Sequence, residues 1–224
     1  KIGPDQPPLK DGILYSANVF EGAPLLPKDK VKHLRVLQID AKTNTSWKKT
    51  YQHSGPSISI TQADGVKRIL GTTPVESDGS VCFKAPPGVS LHFQLLSNEY
   101  RCIQTMRSFT GVMPGEVRGC VGCHEGRSST PAKAARENVG LAMRRGAQVL
   151  TPPPWGAEVS IGYERFVQPV LDKYCGSCHQ GEGEAREELD LTLRNSSLRD
   201  PVFPSLPPQF KEPYVTLVGG GNNW

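Results

Sequence analysis

Two five-residue runs carry most of the chemistry this chain can do: Cys120-Val121-Gly122-Cys123-His124 and Cys175-Gly176-Ser177-Cys178-His179. Each places two thiols one helical turn apart and follows them at once with an imidazole. Thiols at that spacing add to the two vinyl groups of a haem, and the adjoining histidine then reaches beneath the porphyrin as proximal iron ligand. The pattern reads as covalent attachment of two haem c (heme c) groups. Cys120, Cys123, Cys175 and Cys178 are the anchors, and His124 and His179 the proximal iron ligands. Structural zinc is the competing reading, since paired Cys-x-x-Cys groups also build zinc ribbons. A ribbon needs no histidine directly after either pair, and 51 residues between Cys123 and Cys175 exceed its usual spacing.

With His124 and His179 assigned, three of the five histidines remain as distal candidates: His33, His53 and His92. His53 lies in the loop sequence Tyr51-Gln52-His53-Ser54-Gly55-Pro56, where a side chain can be aimed freely. His92 falls on the polar side of an alternating strand, and His33 in a strand whose faces the sequence leaves open. Met106, Met113 and Met143 are weaker alternatives, and a thioether ligand would raise the potential. Met113 is only seven residues before Cys120. The last two cysteines, Cys82 and Cys102, sit in segments that read as strands. In an oxidising compartment a disulfide between them is expected, closing a loop worth about 3 kcal/mol. The alternative is a pair of buried free thiols.

The elements that must position these groups change character along the chain. The first half reads as short strands: 31–39, 57–60, 66–70, the segment bearing Cys82, 89–96, and the segment bearing Cys102. Turn signals separate them at Ala63-Asp64-Gly65, Ser77-Asp78-Gly79 and Pro86-Pro87-Gly88. In 89–96, Val89, Leu91, Phe93 and Leu95 alternate with Ser90, His92 and Gln94, the period of a half-buried strand. Helical patterns follow at 132–145 and 162–175, the second with a kink or late start at Pro169, and a short helix is expected at Glu212–Val218. The fold class read from this is a mostly β, β-sandwich-like N-terminal half, residues 1–115. An irregular, part-helical dihaem cytochrome c domain, residues 116–224, follows it.

Gross composition narrows the setting. Gly 23 and Pro 20 among 224 residues argue against long helices, and the net charge of +4 comes from scattered basic residues. Neither nucleic acid binding nor membrane insertion is expected. The chain begins Lys1-Ile2-Gly3-Pro4, which reads as processed or cut from something longer. Because haem c is attached outside the cytoplasm, an exported protein, periplasmic or extracellular, is expected.

Further segments carry a resemblance. Val66 to Glu76, Asp78-Gly79-Ser80-Val81, Phe93-Gln94-Leu95-Leu96, Gln104 to Phe109, Pro114-Gly115-Glu116, Gly119 to Glu125 and Phe166 to Asp172 stand in a specific order. In that order the chain resembles the hydrazine synthase alpha subunit and its relatives. The resemblance implies a β-sandwich-like middle domain and a dihaem C-terminal domain, without the β-propeller that usually precedes them. It also implies that the chain stops short of a C-terminal helical segment in which a distal ligand could reside. Hydrazine synthase binds a tyrosine to its first iron shortly after the motif, whereas Glu125 to Thr130 include no tyrosine.

Two functions follow. The first is an electron-transfer cytochrome with both irons six-coordinate, exchanging electrons with a redox partner protein or with neighbouring copies of itself in a multihaem assembly or filament. The alternative is a haem enzyme with one open iron, acting on a small nitrogen or peroxide substrate, with Glu125 or Arg127 as candidate acid or base. The missing tyrosine puts the carrier first. A β-half that docks a partner is the third reading.

Overall fold

The computed structural model describes residues 9–40, 65–106, 108–123, 139–197 and 210–218. The chain divides into two compact units, residues 1–40 with 67–159, and residues 41–66 with 160–224.

Seven strands build the first unit: β1 (Gly12–Ser16), β2 (His33–Ile39), β3 (Lys67–Pro74), β4 (Val81–Ala85), β5 (Ser90–Leu96), β6 (Cys102–Thr105) and β7 (Val117–Cys120). They form two sheets, ordered β4-β1-β7 and β3-β2-β5-β6. The alternation read in 89–96 is realised in β5, where Leu91 and Leu95 are buried and His92 and Gln94 are not. Leu14, Val81, Phe83 and Ala85 from one sheet meet Leu34, Val36, Leu91 and Leu95 from the other in a single core. Full burial of each large side chain contributes about 1.5–3 kcal/mol, so this core is what holds two short sheets together.

The turn at Ser77-Asp78-Gly79 forms as expected. Gly79 has φ 82°, and a side chain there would strike Asn18, so only glycine suits the position. Asp78 and Ser80 then act at long range. Leu141 N–H donates to Asp78 Oδ2 at 2.8 Å, and Ala142 N–H to Ser80 Oγ at 3.0 Å. These bonds cap the start of α1 (Leu141–Arg145), a helix with no cap of its own in local sequence. The pattern predicted at 132–145 is helical only over these last five residues among those described; 131–138 and the predicted strand at 57–60 lie outside the described residues.

The second unit is irregular and part-helical. A π-helical turn, Tyr163–Val167, leads into α2 (Gln168–Tyr174), followed by α3 (Gly176–His179), α4 (Glu184–Glu188) and α5 (Glu212–Val218). Pro169 lies in the first turn of α2, where its missing N–H costs nothing, so the anticipated late start is what occurs. No described helix is long and apolar enough to cross a membrane.

Two elements depart from the sequence reading. β1 and β7 were not foreseen as strands; each is short, and Val117-Arg118-Gly119-Cys120 has no apolar alternation to announce it. The parallel pairing of β7 with β1 carries the first sheet past residue 115, and the first unit runs on to Val159.

Candidate haem-attachment sites

The two Cys-x-x-Cys-His motifs are built differently. In the second, Cys175 ends α2 and Gly176 to His179 form α3, so Cys175 and Cys178 stand one helical turn apart. His179 N–H donates to Cys175 O at 2.9 Å, and His179 O accepts from Leu191 N–H at 3.1 Å. The ring is fixed as firmly: Nδ1 lies 3.0 Å from both Ala185 O and Leu189 O. Carbonyls only accept, so Nδ1 carries the proton, and in the neutral ring Nε2 is then the atom with the free lone pair. That is the tautomer an iron ligand needs, with backbone oxygens orienting it from behind.

Four residues before Asp172 and eight after it, two amides brace the same turn. Asp172 Oδ1 accepts from Gln168 Nε2 at 2.7 Å and from Gln180 Nε2 at 2.6 Å, and both amides also donate to Leu191 O. Those side-chain bonds hold the Asp172 carboxyl below its ordinary pKa. Val170 and Tyr174, one turn apart on α2, are 52% and 70% exposed, and Cys178 is exposed as well. Two thiols at the right spacing, an imidazole in the right tautomer and exposed apolar side chains on the preceding helix fit a covalently bound haem.

The first motif is not helical. Cys120 closes β7, opposite Ser16 of β1, and Val121 to Cys123 form a bend. The bend is tied to the chain after β1: Ala17 N–H donates to Cys120 O at 3.2 Å, Asn18 N–H to Val121 O at 3.3 Å, and Cys123 N–H to Glu21 O at 3.1 Å. Parallel pairing with β1 draws Cys120 into the sheet, which is why the turn expected from the spacing alone does not form. Both cysteines line a cavity of about 300 Å³ inside the first unit. Its walls include Leu14, Leu34, Val81, Phe83, Phe93 and Leu95. Two thiols opening onto aliphatic and aromatic walls suit a porphyrin edge. His124, Glu125 and Arg127 lie outside the described residues.

The expected distal ligands are placed as follows. His33 stacks on Tyr100 with ring centroids 4.6 Å apart, and burial lowers its pKa. His92 is 3.2 Å from Ser108 O through Nδ1 and 3.0 Å from Thr105 Oγ1 through Nε2. Neither lines the cavity, and His53 lies outside the described residues. Met113 is 63% exposed, whereas Met106, the next residue after β6, lines the cavity with Cys120 and Cys123. Sequence separation favoured Met113; the sheet crossing brings Met106. Among the described residues no cluster of three or more His, Cys, Asp or Glu side chains is arranged to hold a metal ion directly.

The expected disulfide does not form. Cys82 and Cys102 are both free thiols. Cys82 is buried in β4 of one sheet and Cys102 exposed on β6, at the edge of the other. Burial pushes the Cys82 thiol above its ordinary pKa, so it behaves as a small apolar core residue.

The first unit is thus a two-sheet domain with a cysteine pair lining a cavity between its sheets. Residues 29–125, from before β2 through the first motif, match the family described as hydrazine synthase alpha subunit middle domain. By that domain the chain is similar to the hydrazine synthase alpha subunit. The fold also matches a chain of Kuenenia stuttgartiensis hydrazine synthase, with TM-score 0.57 and 17% identity, over 88% of this chain and 33% of that one. This chain therefore spans about a third of the length of that relative. No curated protein sequence matches.

Proposed function

We propose that the chain is an exported dihaem c-type protein in which the first iron is open to a small nitrogen-containing or peroxide substrate and the second relays electrons. The observation that carries this reading is the cavity of the first unit: both thiols of the first motif line it, and among the described residues no histidine does. The match of residues 29–125 to the hydrazine synthase alpha subunit middle domain supports it, and reverses the order of preference drawn from the missing tyrosine. A haem, when bound, supplies one-electron exchange and, where a coordination position is open, a place for a small ligand.

The chain's own residues do the rest. Cys120 and Cys123 hold the group at the cavity mouth, and the apolar walls keep water from it. At the second motif, Cys175 and Cys178 anchor, Ala185 O and Leu189 O keep the proton on His179 Nδ1, and the Asp172 network stiffens the turn. A redox partner protein, or a neighbouring copy, exchanges electrons at the exposed side of Cys178.

The carrier reading keeps one observation in its favour, Met106 in the same cavity, because a thioether on the first iron would close it. Absorption spectra of oxidised and dithionite-reduced protein, a pyridine haemochrome count and a carbon monoxide titration separate the two. Two covalent haems with a carbon monoxide-sensitive Soret band support the open iron. Two low-spin haems indifferent to carbon monoxide establish the carrier, and absence of haem removes both.

A further inference from the structure

The cavity beside the first motif contains a polar group that the attachment of haem does not use. Ser16 ends β1 directly opposite Cys120 in the parallel register and lines the same space. It is 7% exposed, and its Oγ is buried with no hydrogen-bond partner. Leaving a hydroxyl unpaired in an apolar setting costs about 1–3 kcal/mol, so a native structure keeps one where something else satisfies it. Among the described residues no Asp, Glu, Lys or Arg lines the cavity. An ion entering would lose its hydration without gaining a counter-charge. A neutral molecule with one hydrogen-bonding group would bury its apolar surface on Leu14, Val81, Phe83 and Leu95 and pair that group with Ser16. The volume is sufficient, since an apolar cavity of about 150 Å³ already takes benzene.

We propose that this inter-sheet cavity is a binding site for a small uncharged molecule, held by the Ser16 hydroxyl and delivered to the first motif. The inference deepens the proposed function and rests on it for what the bound molecule does next; binding itself depends only on the cavity and Ser16.

The test is calorimetric titration of the full haem-loaded chain with three probes of similar size: phenol, toluene and benzoate. Phenol and toluene are expected to bind and benzoate not. Ser16→Ala is expected to weaken phenol at least tenfold while toluene stays within twofold, and Ser16→Thr to restore phenol in part. Failure of phenol to bind the unaltered protein, or equal phenol affinity in Ser16→Ala, overturns the inference. Equal weakening of phenol and toluene by Ser16→Ala also overturns it, because the change then acts through packing. Haem content and carbon monoxide response on the same samples report on the open-iron reading separately, so either idea can fail alone.

Discussion

Each motif carries a glycine between its cysteines, and the two glycines are expected to answer very differently to one added methyl group. Gly122 needs no unusual φ, so the constraint on it is contact alone. A Cβ there would meet Glu21 O, and would lie 2.6 Å from Glu21 Cβ and 2.7 Å from Glu21 C, where ordinary contact begins at 3.4 Å. Backbone cannot swing aside as a side-chain tip can. Relief requires parting the bend from residue 21 by most of an ångström, which breaks the Cys123 N–H to Glu21 O bond. Overpacking of this kind costs about 1–3 kcal/mol, and an exposed hydrogen bond adds the low end of about 0.5–1.5. Gly122→Ala should therefore destabilise the first unit by about 2 kcal/mol, or roughly 6–10 °C in Tm for a unit of this size. In Gly176→Ala the added Cβ meets Gln180 Oε1 at 2.9 Å, the far end of a flexible side chain. Alanine also gains about 0.5–1 kcal/mol of helix propensity in α3, so this variant should be neutral or slightly stabilised. Scanning calorimetry gives the stabilities, and peptide mass spectrometry locates each haem. Gly122→Ala should lose haem selectively from Cys120 and Cys123 while Cys175 and Cys178 stay loaded. A Gly122→Ala protein with unchanged Tm and both sites full would refute the packing argument.

Ser80→Ala should cost about 1–3 kcal/mol in denaturant unfolding, because Ala142 N–H, on a residue only 1% exposed, then has no acceptor. Asp78 adds a pH dependence: although burial works to raise its pKa, bonds from Ser80 and Leu141 outweigh that and hold it low. Its contribution is full above the unfolded value of about 3.9 and lost as pH falls through the lower folded value, so Asp78→Asn should flatten the acid limb of a stability–pH curve. Asp172→Ala strips Gln168 and Gln180 of one of their two shared acceptors, leaving only Leu191 O, and should lower the Tm of the second unit and its haem occupancy, leaving the first site loaded. Under iodoacetamide, mass spectrometry should find Cys102 alkylated in the folded protein and Cys82 only after unfolding; protection of both would restore the disulfide.

What the sequence determined by itself was local. The Cys-x-x-Cys-His runs, the alternation in β5, the turn at Asp78-Gly79, Pro169 at the head of α2 and the Glu212–Val218 helix are all read from near neighbours, because periodicity and φ preferences act over a few residues. The family's order of motifs was legible for the same reason. What only tertiary structure decided involves partners far apart in sequence. Strand β7 exists because β1, some hundred residues earlier, offers it an edge, and that pairing turns the first motif from a helical turn into a strand end. Residues 78 and 80 cap a helix sixty residues on, which no local cap signal announces. Cys82 and Cys102 looked pairable along the chain, yet sheet order sends them to different sheets. Met106 and Ser16 gain their interest only from facing one cavity with Cys120. Spacing fixes which covalent chemistry a cysteine pair can attempt; sheet pairing decides which side chains surround it.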